Sequence, residues 1–189
     1  MRCQSCGCFA LRTFCSDCTR ILSQHSLGFR DDAGFKVYYF YKYSDIKHII
    51  HTKHHLHGLF TLKALANLSF SKFAKEFKFG EKILAIPLDD SINSGYSHTA
   101  ILANSLKSKE IKPSFNTIKA MSNIKYSGQS LSYRKKHKRN FKLFKKVDKP
   151  VILVDDLITT GLTMKEAFEV CQKAGISVLF GLTLADAKP

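Results

Sequence analysis

The residues best suited to chemistry lie in the last quarter of the chain, where Asp155 and Asp156 are followed closely by Thr159, Thr160, Gly161, Leu162 and Thr163. Threonine hydroxyls donate hydrogen bonds, and a glycine lets the backbone approach an oxygen closely. Both properties suit a phosphate. The two carboxylates do not, because an ionised carboxyl group only accepts hydrogen bonds and repels an anion. They must hold another part of the same ligand, either sugar hydroxyls or a divalent cation. Together these residues describe a grip on a phosphorylated sugar.

Two further groups carry chemistry. Cys3 and Cys6, then Cys15 and Cys18, form two C-x2-C pairs separated by eight residues. Each pair offers two thiolates from one tight turn, and two turns close a tetrahedron around Zn²⁺ at Zn–S distances of about 2.3 Å. Four soft ligands leave no open position, so the zinc is expected to be structural and the small module to need it for folding. Cys8 is a spare thiol that leaves the ligand set ambiguous. The other group is basic: residues 134–149 hold nine Lys/Arg against one acid, Asp148. Arg134, Lys135, Lys136, Lys138, Arg139 and Lys142 are interleaved with Tyr133, Phe141 and Phe144, which gives cations for a phosphodiester backbone and aromatic faces for bases. Phe141 and Phe144 are equally suited to facing inward as core. Charges this dense repel one another, and the segment is expected to order when an anion arrives.

The elements that must position these groups follow from periodicity. A buried strand over 151–154, the hydroxyl-rich turn, a helix ending at Ala174 with Gly175 as left-handed cap, and a strand over 178–184 predict a βαβ unit in a parallel sheet. The turn then sits at the carboxyl end of a strand and at a helix N-terminus, where backbone N–H groups point at a bound anion. Upstream, the pattern predicts a strand over 37–43, a helix with Ser44 as N-cap, an amphipathic helix over 59–77, a strand over 83–88, a helix over 97–106 and a short strand over 114–121. Residues 23–34 are rich in Ser, Gly and Asp and read as a linker. The expected organisation is a zinc-finger module with linker over 1–34 and an α/β domain over 35–189, a parallel sheet flanked by helices.

Composition narrows the partners. An apolar fraction of 44% supports a packed core and argues against wholesale disorder. Thirty Lys+Arg against 15 Asp+Glu give a net charge of +15, which favours anionic partners. The longest uninterrupted apolar run, 37–41, is five residues against the roughly 20 that a spanning helix needs. The cysteine-rich N-terminus has no apolar signal region. The expectation is a cytoplasmic protein, where thiols stay reduced and paired cysteines favour metal over disulfide.

The run from Val154 to Thr163, Val-Asp-Asp-Leu-Ile-Thr-Thr-Gly-Leu-Thr, resembles the phosphoribosyl pyrophosphate (PRPP) motif of the type I phosphoribosyltransferases. The order of cysteine module, aromatic strand, basic segment and PRPP-like loop is similar to the ComF family of competence proteins, close to the ComFC type. Tyr41-Lys42-Tyr43, Ile50-His51-Thr52-Lys53 and Ile86-Pro87-Leu88 fit that pattern, as do Gln129, Leu131, Arg134, Asn140 and Phe144. The chain departs from it at Ser94-Gly95-Tyr96-Ser97-His98, where the family commonly carries Arg-Gly-Phe-Asn-Gln. The resemblance implies a type I phosphoribosyltransferase-like fold. It further implies that Asp155 and Asp156 hold the ribose hydroxyls of PRPP, that Mg²⁺ accompanies PRPP, that Thr159 to Thr163 wrap the 5′-phosphate, and that Gln129 and Arg134 lie on a flap. The implied role is in natural transformation, binding incoming single-stranded DNA in the cytoplasm, with DNA-uptake proteins at the inner membrane as partners and a peripheral location there. A second reading is an active phosphoribosyltransferase that moves ribose 5-phosphate from PRPP to an acceptor, with Asp155 and Asp156 as its catalytic carboxylates.

Overall fold

A strand covered on both faces buries every residue of a continuous apolar run. Val151, Ile152, Leu153 and Val154 have no exposed surface, and in a computed structural model of the chain they open the central strand of a sheet. The structure describes residues 1–31, 34–54, 58–88, 95–122, 131–136 and 138–188, with side chains at all of these except 53, 54, 131, 134 and 135. The strands are β1 (Gly28–Arg30), β2 (Val37–Lys42), β3 (Ile83–Pro87), β4 (Ile111–Pro113), β5 (Ile118–Ala120), β6 (Phe141–Leu143), β7 (Val151–Ile158) and β8 (Val178–Asp186). The helices are α1 (Ser16–Ser23), α2 (Tyr43–Ile50), α3 (Gly58–Leu68), α4 (Phe70–Glu76), α5 (His98–Ser105), α6 (Leu131–Lys136) and α7 (Leu162–Lys173), with a 3-10 turn at His51–His54.

Six strands form one sheet in the order β1-β2-β8-β7-β3-β4, and a separate two-stranded ribbon pairs β5 with β6. β1 is antiparallel to β2, and every other neighbouring pair in the large sheet is parallel. The alternation of side chains along a strand sorts the core into two layers. Ile152 and Val154 pack with Ile46 and Ile49 of α2, Leu65 of α3, Phe70 of α4 and Leu102 of α5. Val151 and Leu153 pack with Met164, Ala167 and Cys171 of α7 and with Ile118 and Phe141 of the ribbon. The result is an α/β fold with a mainly parallel sheet flanked by helices. Gly181 lets α7 close on the sheet, since a Cβ there would lie 3.0 Å from Val37 and 3.2 Å from the Met164 Sδ.

Several boundaries differ from the periodicity, each for a local reason. The helix expected over 59–77 is divided at Ser69, whose Oγ joins its own N–H on the Leu65 carbonyl, at 2.7 and 3.1 Å. Ser44 is not the N-cap of α2; β2 runs straight into the helix, and the Ser44 hydroxyl donates to Asp45 instead. The strand expected over 151–154 continues to Ile158 because β8, running to Asp186, keeps its backbone paired. The strand expected over 114–121 is confined to β5, while β4 pairs with β3 at the sheet edge.

Within the stretch that reads as a linker, Gly28–Arg30 pairs with β2 as the edge strand. Arg30 Nη1 lies 2.7 Å from Asp186 Oδ1, with the two side chains 8% and 7% exposed. Replacing Arg30 by Met leaves the Asp186 carboxylate buried without its cation, which costs about 3–5 kcal/mol. A fall of that size in urea unfolding free energy is the expected result. The cysteine module shares the main core as well: Cys3, Ala10, Phe14, Cys18 and Leu22 belong to the same apolar cluster as Phe40, Tyr41 and Ile46. The Tyr41 hydroxyl donates to the Leu22 carbonyl at 2.8 Å, and burial pushes its pKa above the ordinary phenol value.

Candidate functional site

Asp155 and Asp156 lie in the second half of β7, where the parallel register with β8 is continuous. Paired residues run Asp155↔Thr183 and then Leu157↔Ala185, and the Asp156 N–H donates to Asp155 Oδ1 at 2.8 Å. Before the pair, Ile152 and Val154 face one layer of the core; after it, Leu157 faces that layer and Ile158 the other. Asp156 is turned towards α5. Its Oδ2 lies 3.8 Å from Nδ1 of His98, the first residue of that helix, and the Tyr96 ring meets the imidazole edge-on at 5.0 Å. Ser97 caps the helix by accepting the Ala100 N–H, and Thr99 Oγ1 donates to the Leu88 carbonyl, which fixes α5 to the end of β3.

Three residues, Thr159 to Gly161, connect β7 to α7. Gly161 takes φ +73° as the residue before the helix, and its carbonyl accepts the Lys165 N–H at 2.8 Å. Only glycine adopts this conformation without cost; a side chain adds about 1–2 kcal/mol. The first turn of a helix leaves backbone N–H groups without intrahelical acceptors. Here that turn lies beside Thr159, Thr160, Leu162 and Thr163, all half-buried. Arg30 buttresses the loop from outside by donating to the Thr159 carbonyl at 2.8 Å. The arrangement suits an anion at the helix start with hydroxyl or cation chemistry at the carboxylates.

The sulfurs of Cys3, Cys6, Cys8 and Cys15 all lie within 4.8 Å of one another. Cys6 Sγ and Cys15 Sγ are 3.7 Å apart, close to the edge of about 3.8 Å of a ZnS₄ tetrahedron. Cys18, paired in sequence with Cys15, is buried alongside, its N–H donating to Cys15 Sγ at 3.5 Å. Cys8 thus stands within the tight group, and the cluster has the donor chemistry for a closed thiolate site. Among the described residues no other group of three or more His, Cys, Asp or Glu side chains converges in this way.

The basic segment folds back on β5. Phe141 is buried in the layer under α7, whereas Phe144 is 55% and Tyr133 36% exposed, so the aromatics divide between core and surface. Lys119 stands directly opposite Lys142 in the ribbon, and Lys119 Nζ lies 5.8 Å from the centre of the Phe144 ring. Lys136, Lys138 and Lys142 are exposed, while Arg139 is half-buried. Gln129 lies outside the described residues, as do the side chains of Arg134 and Lys135 and, in the departing stretch, Ser94.

The solved structures that resemble this fold include a hypoxanthine phosphoribosyltransferase from Staphylococcus aureus in two crystal forms. Identity is 15% over 66% of this chain and 62% of that chain, with TM-scores of 0.42 and 0.38. The chain therefore spans less than two thirds of that enzyme's length. No family model matches the chain, and no curated protein matches it.

Asp155, Asp156 and the residues 159–163 come together at one end of β7. Sequence reasoning missed His98 and Arg30. The only local hint for His98 was its place in the stretch that departs from the ComF pattern, and nothing near Arg30 in sequence points to a loop so distant. Among the described residues no helix is long and apolar enough to cross a membrane.

Proposed function

We propose that this protein binds PRPP with Mg²⁺ at the β7–α7 loop and a single-stranded nucleic acid on the basic ribbon, as a cytoplasmic DNA-binding protein of natural transformation. One observation carries the ligand reading: two carboxylates lie near the carboxyl end of the central strand, which leads, through a threonine-rich turn with a left-handed glycine, into a helix N-terminus. Asp155 and Asp156 hold the ribose hydroxyls, residues 159–163 take the 5′-phosphate, and Mg²⁺ neutralises the pyrophosphate. Titration calorimetry with PRPP and Mg²⁺ tests this; heat with ribose-free pyrophosphate but none with PRPP would overturn it.

The nucleic-acid half is supported by the outward face of the ribbon. Like charges directly opposite on paired strands destabilise them, so the Lys119–Lys142 pair beside an exposed Phe144 gains from a bound polyanion. A strand lying there places phosphates at the lysines and a base on the ring. Affinity for oligothymidine should fall steeply with salt, and Lys119→Glu with Lys142→Glu should reduce the log–log slope by about 1.4. Phe144→Ala should cost about 1–3 kcal/mol of binding. Incoming single-stranded DNA at the inner membrane, delivered by uptake proteins, is the partner we assign to this face.

His98 beside Asp156 favours a second reading, transfer of ribose 5-phosphate to an acceptor. An imidazole at that point can accept the proton that an attacking nucleophile sheds. Release of labelled pyrophosphate from PRPP in the presence of candidate acceptors separates the two.

A further inference from the structure

Glu166 lies on α7, one turn beyond Leu162, the first residue of the helix. Its carboxylate faces the base of the basic ribbon. Oε1 accepts the Asn140 N–H at 2.6 Å and the Phe141 N–H at 3.4 Å, and Oε2 accepts the Arg139 N–H at 3.1 Å. Three successive N–H groups converge on one anion because Asn140 takes φ +53°, which folds the chain into a concave nest. Asparagine is among the few residues other than glycine that enter this region readily. Hydrogen bonds to an ionised acceptor are about twice as strong as neutral ones.

The opposite side of the ribbon is tied to the same point. The Met121 N–H donates to the Arg139 carbonyl at 3.1 Å, and Ser122 Oγ donates to the Lys138 carbonyl at 2.7 Å. Beneath them, Phe141 packs in one layer with Met164 and Ala167 of α7. Residues 138–141 therefore ride on the helix whose start closes the candidate phosphate loop. A ligand that orders the first turn of α7 acts on a rigid element of which Glu166 is part.

We propose that Glu166 is the positioning residue that couples occupancy of the phosphate loop to the placement of the basic ribbon at 138–143. The coupling rests on the reading of that loop as a PRPP site. It makes the ribbon's alignment depend on the sugar phosphate without any contact between the ribbon and the ligand.

Hydrogen exchange on the full chain, with and without PRPP and Mg²⁺, compares wild type with Glu166→Ala, which removes all three acceptor contacts, and with Glu169→Ala on the same helix. In wild type the ligand slows exchange at 159–165 and also, about tenfold, at 138–143. Glu166→Ala keeps the protection at 159–165 and loses it at 138–143, while Glu169→Ala behaves as wild type. Protection at 138–143 that survives in Glu166→Ala overturns the coupling, as does wild-type protection confined to 159–165. No protection at 159–165 in wild type overturns the PRPP reading, and the coupling with it. If rapid exchange across β7 shows the Glu166→Ala variant to be unfolded, Glu166→Asp takes its place with the same expectations, being one methylene too short for these bonds.

Discussion

A chain carrying Asp155→Asn and Asp156→Asn binds PRPP·Mg²⁺ at least about a hundredfold more weakly than wild type, because each hydrogen bond to a charged group contributes about 1.5–3 kcal/mol. Its affinity for inorganic phosphate without Mg²⁺ does not fall, since removing two negative charges removes repulsion from the same loop. Opposite signs for the two ligands distinguish loss of a sugar or cation grip from general damage. The fold should survive: the Asp156 N–H bond to residue 155 keeps an oxygen acceptor in the amide, and the His98 contact at 3.8 Å is a loose one. Gly161→Ala gives the complementary result, losing phosphate and PRPP together, because it disturbs the turn at φ +73° and leaves the carboxylates in place. Equal PRPP affinity in wild type and in the double variant would remove Asp155 and Asp156 from the site.

Stripping metal from the N-terminal cysteines is the second large perturbation. The purified chain should carry one zinc, and a strong chelator should lower the melting temperature by about 10 °C or more, given about 2–4 °C per kcal/mol for a chain of this size. The effect should reach beyond the module because Cys3, Phe14, Cys18 and Leu22 are packed into the cluster that holds Phe40, Tyr41 and Ile46. Cys3→Ser and Cys15→Ser should each reproduce it. Metal retention should also depend on pH with a defined sign, since only thiolates ligate. Burial raises the Cys3 pKa, but backbone N–H groups of Cys6, Cys15 and Ser5 outweigh it and bring the thiol down to about 6. A depressed folded-state pKa contributes stability above the unfolded thiol value that is lost as pH falls through the folded one. Zinc release monitored with a chromogenic chelator should therefore accelerate as pH falls. A melting curve indifferent to chelator would show that the cluster does not depend on a metal.

What the amino-acid sequence determined by itself is local. The β7–α7 unit was legible because a continuous apolar run, a glycine at a position of positive φ and a helical apolar stripe are written in neighbouring residues. Gly175 as the cap and the parallel return of β8 were legible for the same reason; the cysteine cluster was legible as a cluster, but the spacing named Cys18 where the four converging sulfurs include Cys8.

Only the tertiary structure decided the rest, because it depends on pairings between residues far apart. Strand β7 extends past Asp155 and Asp156 to Ile158 because β8 stays paired with it. His98 reaches Asp156 because α5 is pinned to the end of β3, and Arg30 reaches Thr159 and Asp186 because residues 28–30 become an edge strand. Phe141 and Phe144 have the same chemistry and nearly the same place in sequence. One is core and the other surface because β6 lies against α7, and only packing can tell the two faces of a ribbon apart.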